Sequence, residues 1–202
     1  MSSNEISDEI LVSHLDQVKA LASGISNESS IAFAACCLER FASIYQRSVV
    51  AGRHPDLDPE HVRAALDAVW LWLTSGQASD WAEIAGKYRR VAEQEPVNRI
   101  ENPSDTILFM GVGIIADFLT IIERNEFDES HLFAARNLEV IELLLDETEE
   151  ISDGNQLFKE EMLRQTQCLN ELEGAADPST VTRLREQSSR SKLLGAHWFP
   201  SG

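Results

Sequence analysis

Two pairs of residues have the spacing of a metal site: Asp58 with His61, and Asp128 with His131. A carboxylate and an imidazole three residues apart lie on one helix face, which is how some helical bundles hold two metal ions. Those bundles place Glu in mid-helix and add two further inward carboxylates. Here each Asp stands at the start of a helical segment, where capping the helix explains it. We therefore predict no metal site and no cofactor.

Nucleophilic and phosphate-binding motifs are also missing from the sequence. The five histidines are scattered, and none has a Cys or Ser partner at a recognisable spacing. No Walker loop, Gly-x-Ser-x-Gly or Cys-x-x-Cys occurs. Gly111 and Gly113 lie inside a helical pattern that follows no strand, so they do not form a nucleotide-binding loop. We predict a protein without catalytic residues and without enzymatic activity.

Acidic residues exceed basic ones two to one and concentrate in the second half of the chain. Asp and Glu total 34 against 17 Lys and Arg, for a net charge of -17, and residues 123–173 hold 15 acidic and 4 basic residues. Three- and four-residue spacing places several carboxylates side by side on one helix face, which weakens the helix. We predict that this acidic face binds a basic protein partner. Its residues are Glu139, Glu142, Asp146, Glu149 and Glu150.

The alternative interpretation of this face is a solvated surface that keeps the protein soluble. Basic residues of the last predicted helix would neutralise part of it; they are Arg183, Arg185, Arg190 and Lys192. The acidity also excludes some partners. Carboxylates repel nucleic-acid phosphates and anionic lipid headgroups, so we expect neither direct nucleic-acid binding nor membrane binding.

Trp72 is a further candidate for partner binding. It lies about 160° around its helix from the apolar face formed by Leu66, Val69 and Leu73. Two arrangements would account for it. Either the next helix covers the indole, or the indole is an exposed anchor for a partner.

Every segment with a clear hydrophobic period is helical, and none alternates as a strand does. Ser7, Asp58-Pro59, Ser104 and Asp177-Pro178 supply start signals. The predicted helices span about 8–23, 28–51, 59–75, 79–95, 104–124, 128–150, 156–173 and 178–192. We predict an all-α fold, a compact bundle of about eight helices in one domain (1–202). The apolar helix at about 105–124 is expected at its centre, and the tail 195–202 shows no period.

A few residues interrupt the apolar patterns. Glu39, Arg40 and Asp67 fall inside otherwise apolar helices, and we predict an ion pair in which Asp67 joins either Arg40 or Arg63. Asp117, on the central helix, would need a partner if buried. Gly111 and Gly113 each cost up to about 1 kcal/mol relative to alanine in a helix. We therefore expect a neighbouring helix to pack very close to them.

Several features predict a cytoplasmic protein. The most apolar stretch, 107–122, has 16 residues and contains Asp117, whereas a membrane span needs about 20 apolar residues. The N-terminus lacks the basic and apolar regions of a signal peptide. Cys36, Cys37 and Cys168 are an odd number with two adjacent, which is not a disulfide framework. Reduced thiols fit the cytoplasm.

A set of residues along the chain carries a family resemblance. They are Ala32-Phe33-Ala34, Cys37, Glu39-Arg40, Tyr45, Ala65-Leu66-Asp67, Trp70, the segment 142–146, Glu160-Glu161, Gln165 and Leu169. In these residues the sequence resembles the YjaG-like family of small, all-helical bacterial proteins of unknown function. The resemblance covers about residues 5–195 and implies an all-α fold with no known enzymatic activity. This chain departs from the family at its end, where the tail contains His197, Trp198 and Phe199.

Three classes of function are compatible with these features. The first is a non-enzymatic protein-binding module, such as an immunity-type protein that neutralises a basic toxin, for instance a nuclease, through the acidic face. The second is a housekeeping helical adaptor or homodimer whose charge serves only solubility. The third, ranked last, is a metal-binding bundle enzyme.

Overall fold

The computed structural model describes residues 7–52, 59–77, 79–94, 103–147, 154–174 and 177–191 of the chain. Within these ranges the secondary structure is entirely helical, which confirms the all-α prediction. The tail 195–202 lies outside them. The helices are α1 (Asp8–Ala22), α2 (Asn27–Gly52), α3 (Pro59–Ser75), α4 (Trp81–Gln94), α5 (Pro103–Arg124), α6 (Leu132–Glu147), α7 (Gly154–Leu172) and α8 (Pro178–Arg190), with a 3₁₀ turn at Phe127–Glu129.

Proline and capping residues account for several of the helix starts. Pro59 and Pro178 are the first residues of α3 and α8, where a missing N–H costs nothing. Asp177 caps α8, because its Oδ1 accepts hydrogen bonds from the backbone N–H groups of Ser179 at 2.8 Å and Thr180 at 3.1 Å. Ser7 stands at the N-cap position of α1, but its side chain makes no capping hydrogen bond.

The start of α6 differs from the prediction. The helix was expected from Asp128, whereas the chain first makes the 3₁₀ turn at Phe127–Glu129 and begins α6 at Leu132. Asn125, just beyond α5, has a φ of 58°. Asparagine tolerates this left-handed conformation, which ends a helix and redirects the chain. Helical periodicity alone does not detect such a turn.

α2 is the most enclosed of the helices, although α5 is the more apolar one. Every residue from Ile31 to Ala42 is buried, and α2 contacts α3, α5, α6, α7 and α8. α5 packs mainly against α4 and α2 and leaves Asp117 exposed. The small side chains of α2 explain its position, because they let helices approach closely from several sides. They are Ala32, Ala34, Ala35, Cys36 and Cys37.

One of the two glycines in α5 marks a close helix contact. A Cβ added at Gly111 would lie 2.9 Å from two carbons of the Tyr45 ring on α2 and still closer to a third. This confirms the expected close packing at Gly111. At Gly113 no atom of the described residues lies within 4 Å of an added Cβ, so packing among them does not explain that glycine.

None of the described helices is both long enough and apolar enough to cross a bilayer.

Candidate functional site

A buried ion pair lies at the centre of the bundle, between Arg40 of α2 and Glu161 of α7. Arg40 donates from Nε to Glu161 Oε2 at 2.8 Å and from Nη2 to Oε1 at 2.6 Å. The side chains are only 2% and 0% exposed. Burial acts to lower the pKa of Arg40, but the Glu161 carboxylate outweighs it and raises that pKa above its ordinary value. The guanidinium is therefore held charged inside the protein.

Amide side chains complete the surroundings of Glu161. Asn137 Nδ2 and Gln165 Nε2 donate to Glu161 Oε1 at 2.9 and 2.8 Å. Gln165 Oε1 lies 2.8 Å from Nε2 of His14, which is itself buried on α1. Hydrogen bonds of this kind offset the loss of hydration that a buried carboxylate suffers. The network joins α1, α2, α6 and α7.

A second polar cluster surrounds Glu39 and is closer to the surface. Arg63 donates to both Glu39 carboxylate oxygens at 2.7 and 2.8 Å, and Trp70 Nε1 donates at 2.9 Å. Arg63 also binds Asp67 at 3.0 Å, which decides between the two predicted partners of Asp67. Arg185 of α8 forms an ion pair with the same Asp67 oxygen. Several donors thus converge on each carboxylate, and the cluster joins α2, α3 and α8.

Sequence reasoning missed Glu161, Asn137, Gln165 and His14 as members of the network. One signal could have indicated two of them. Glu161 and Gln165 fall on the same buried stripe of α7 as Phe158, Cys168 and Leu172. A polar residue inside an apolar helical stripe indicates a buried partner.

A small cavity lies between α7 and α8, beside the first network. It measures about 200 Å³, and its lining includes Arg40, Cys168, Ser188, Arg164 and Glu171. Arg164 is held at the rim by Glu160, 3.5 Å away. The cavity therefore brings a buried guanidinium and a buried thiol next to a mixed-charge opening.

The three thiols behave differently because their neighbours differ. The neighbouring side chains of Cys168 and Ser188, together with the charge of Arg40, lower the pKa of Cys36 despite its burial. The neighbouring Cys36 and burial raise the pKa of Cys168. Burial raises the pKa of Cys37 above its ordinary value. All three thiols are free.

The predicted acidic face is only partly within the described residues. Glu139 and Glu142 are exposed on α6. Glu139 accepts a hydrogen bond from Arg136 at 2.8 Å, whereas Glu142 forms no ion pair with any described residue. Asp146 lies within α6 by its backbone, and its side chain is outside the description. Glu149 and Glu150 are outside it entirely.

The arginines of α8 pair with groups other than the described acidic residues of α6. Arg183 pairs with Glu171 of α7. Arg185 pairs with Asp67 of α3, and Arg190 with Glu186 of its own helix at 3.4 Å. Lys192 lies outside the described residues. Of the predicted ion pairs with the acidic helices, the described residues show the one between Arg183 and Glu171 of α7. Arg136 of α6 pairs with Glu139 of the same helix.

Trp72 is half-buried, and α4 covers part of it. Its ring meets that of Trp81, the first residue of α4, edge to face with centroids 5.9 Å apart and planes at 72°. The indole of Trp72 is therefore partly covered by α4 and partly exposed.

Of the two candidate metal pairs, only Asp128 and His131 lie within the described residues. His131 Nδ1 lies 2.8 Å from the backbone oxygen of Asp128, so the imidazole engages the peptide and not the carboxylate. Asp58 and the side chain of His61 lie outside the described residues. No group of three or more His, Cys, Asp or Glu side chains in the described part of the chain is arranged to hold a metal ion.

Asp117 was considered as a buried carboxylate in need of a partner, but it is exposed. Partial burial raises its pKa, and the positive charge of Arg136 acts in the opposite direction. Solvent supplies the hydrogen bonds that a fully buried carboxylate would have needed from the protein.

Comparison with known proteins identifies a shared fold. No protein-family model and no curated protein matches the sequence. The structure is similar to the crystal structure of a DUF416 family protein from Shewanella baltica OS155, with a TM-score of 0.71 and 14% sequence identity. The match covers 88% of this chain and 93% of the other. The chain therefore shares its all-α fold with a member of a family of unknown function.

Proposed function

We propose that the chain is a non-enzymatic protein-binding module of the cytoplasm whose acidic face on α6 and α7 recognises a basic protein. An immunity-type role, the neutralisation of a basic toxin such as a nuclease, is the specific form of this proposal. One observation carries it: Glu139 and Glu142 are exposed on α6, while the arginines of α8 pair with Glu171, Asp67 and Glu186. The acidic face thus keeps negative charge available to a partner.

Charge of this kind acts mainly on the rate of association. A net charge of -17 creates a long-range field that attracts a basic protein before contact. Exposed charges are screened over a Debye length of about 8 Å at physiological salt, so the effect falls as salt rises. A carboxylate surface also imitates nucleic-acid phosphates and would occupy the active site of a nuclease.

The experiment compares matched charge reversals. The immobilised protein captures its partner from a lysate of the native host, and stopped-flow fluorescence then gives the association rate of the purified pair at two salt concentrations. Glu142→Lys should slow association and flatten its salt dependence. Asp16→Lys is the control, because Asp16 is an exposed acidic residue of α1 and its reversal changes the net charge equally. Equal effects of the two reversals, or a partner indifferent to both, would contradict the proposal.

We also propose that the chain is a divergent member of the YjaG-like family. The residues that carry the resemblance include Cys37, Glu39, Arg40, Glu161 and Gln165, and these belong to the two polar clusters of the core. Their convergence supports a shared core design as well as a shared helix pattern. Structures of YjaG-like proteins test this, since they should hold an Arg–Glu pair between the second and the seventh helix.

A homodimeric adaptor is the second candidate, and one observation favours it. Ile10 and Val12 of α1 and Leu163 of α7 are 51%, 59% and 57% exposed, and α1 packs against α7. Exposed apolar residues on neighbouring helices are typical of an interaction surface. Light scattering at micromolar concentration distinguishes the cases. A dimer that Leu163→Glu dissociates would support the adaptor, and a monomer would exclude it.

A further inference from the structure

The cavity between α7 and α8 is a groove whose floor is α2. Both helices pack against α2, and the residues that line the cavity recur every three or four positions, so they share one face of each helix. They include Arg164, Cys168 and Glu171 of α7 and Leu184, Ser188 and Ser191 of α8. Arg164 and Glu171 are two helical turns apart, which is about 10 Å at about 1.5 Å per residue. The groove therefore has room for an elongated small molecule.

Two buried hydrogen-bond donors that line this cavity have unused capacity. Arg40 donates from Nε and Nη2 to Glu161, and its Nη1 group makes no hydrogen bond to a described residue. Ser188 is 5% exposed, and its hydroxyl donates to no nitrogen or oxygen of the described residues. The Ser191 hydroxyl, one turn further along α8, instead donates to the Gln187 backbone oxygen at 2.6 Å. Because buried donors normally have partners, an oxygen acceptor that enters the cavity would gain two hydrogen bonds at once.

The charges that line the cavity favour a ligand with a single negative charge. Arg40 and Arg164 supply two positive charges, and Glu171 supplies one negative charge. All three are held by ion pairs with residues outside the lining. The lining itself therefore has one surplus positive charge, which a monovalent anion balances. A divalent phosphate would exceed that charge, and Glu171 would repel it more strongly than it repels a monovalent anion.

We propose that the cavity between α7 and α8 binds the carboxylate of a small monocarboxylic acid. The carboxylate oxygens accept hydrogen bonds from Arg40 Nη1 and the Ser188 hydroxyl, and Arg164 supplies the second positive charge. Leu184, which is 2% exposed, offers an apolar wall to the carbon chain. The volume of about 200 Å³ is below the range of about 300–1,000 Å³ for drug-sized ligands, so the acid has few non-hydrogen atoms.

This site does not rest on the proposed function. None of the described residues of the acidic face lines the cavity. A protein partner on α6 and a carboxylate between α7 and α8 are therefore separate, and either could fail without the other.

Nuclear magnetic resonance of the full-length protein tests the site with defined probes. The ¹⁵N-labelled protein is titrated with sodium acetate, acetamide or inorganic phosphate at an ionic strength held constant with sodium chloride. Acetate should shift the backbone amide resonances of Cys168 and Ser188 to saturation, with a dissociation constant of about 1 mM, since a ligand of so few atoms binds weakly. Acetamide has the same shape without the charge and should not bind. Phosphate should bind more weakly than acetate.

Two variants locate the binding site while the pair of Arg40 with Glu161 stays intact. Ser188→Ala removes one donor and should raise the dissociation constant for acetate about tenfold, as expected for a hydrogen bond to a charged group. Ser189→Ala is the matched control, because the Ser189 hydroxyl donates to the Glu186 backbone oxygen. Its constant should equal that of the wild type. Arg164→Gln, at a position 30% exposed, should raise the constant about threefold or more and serves if Ser188→Ala does not fold.

Several outcomes would overturn the proposal. They are shifts that do not saturate with acetate, equal binding of acetamide, and tighter binding of phosphate at the same residues. A constant that is unchanged in the folded Ser188→Ala or Arg164→Gln variant would also place the carboxylate elsewhere.

Discussion

Arg40 and Glu161 stand 121 residues apart in sequence and form a two-point ion pair in the centre of the bundle, with distances of 2.6 and 2.8 Å. Removing two charges from water costs several kcal/mol for each ion, and only good geometry with further hydrogen bonds offsets it. Asn137 and Gln165 supply those bonds to Glu161. The pair joins α2 to α7 in one register, because a shift of either helix would leave charges unpaired.

Removing the charge of Glu161 should destabilise the protein strongly. Glu161→Gln leaves the Arg40 guanidinium buried without a counter-charge, and we expect a loss of about 3–5 kcal/mol in the free energy of unfolding. Urea denaturation followed by circular dichroism measures it. The control is Glu186→Gln in the surface pair with Arg190, where the Glu186 and Arg190 side chains are 60% and 81% exposed. That change should stay within about 0.5 kcal/mol.

The double variant Arg40→Met, Glu161→Leu distinguishes two causes of destabilisation: a buried charge without a counter-charge, and the loss of the ion-pair contact itself. Both variants remove the ion pair, but only Glu161→Gln leaves a charge behind. We therefore expect the double variant to be more stable than Glu161→Gln, since apolar side chains of similar size often replace a buried pair at little cost. If the double variant is the less stable of the two, the pair contributes net stability and this reasoning fails.

The two glycines of α5 should respond to alanine in opposite directions. Alanine is favoured over glycine in a helix by up to about 1 kcal/mol. At Gly113 an added Cβ has no atom of the described residues within 4 Å, so Gly113→Ala should raise the free energy of unfolding. At Gly111 the added Cβ overlaps the Tyr45 ring. Overpacking of that kind costs about 1–3 kcal/mol, which exceeds the helical gain, so Gly111→Ala should lower it. Urea denaturation of both variants is the measurement, and changes of the same sign would contradict the predicted contact.

Local signals in the sequence predict most of the helices. The polar clusters show why local signals do not predict which buried residues meet. The proline positions and the apolar spacing predict first residues for α3 and α8 that agree with the structure. The pairing of Asp67 with Arg63 was also foreseen as one of two options, because the residues are four apart on one helix. Arg40 and Glu161 belong to helices far apart in sequence, and no local period reveals which buried polar residues will meet. Their pairing depends on the packing of α2 against α7.

The cap of α8 should contribute stability that depends on pH. The Ser179 hydroxyl and the Thr180 N–H, with further bonds from the same two residues, lower the pKa of Asp177 below its usual range. The cap therefore stabilises the fold fully above the unfolded carboxyl pKa of about 3.9, and the contribution is lost as pH falls towards the lower folded value. The difference in urea midpoint between the wild type and Asp177→Ala should shrink from pH 7 to pH 3. Asp177→Asn caps the helix through a neutral amide, so the difference in urea midpoint between Asp177→Asn and Asp177→Ala should not change with pH. If the difference in urea midpoint between the wild type and Asp177→Ala is also independent of pH, this account is wrong.

The contact between Trp72 and Trp81 should be measurable as a coupling energy. The rings meet edge to face at 5.9 Å, an arrangement worth about 0.5–1.5 kcal/mol beyond the area it buries. A double-mutant cycle of Trp72→Ala, Trp81→Ala and their combination should give a coupling in that range from urea denaturation, and Trp81→Phe should retain part of it because an aromatic ring remains. The result also bears on the prediction that Trp72 binds a partner. If the Trp72 ring supports the α3–α4 contact, its removal would weaken partner binding by destabilising the fold. Additive single changes, within about 0.3–0.5 kcal/mol, would show that the rings do not support each other. In that case the exposed part of Trp72 would again be a candidate anchor for a partner.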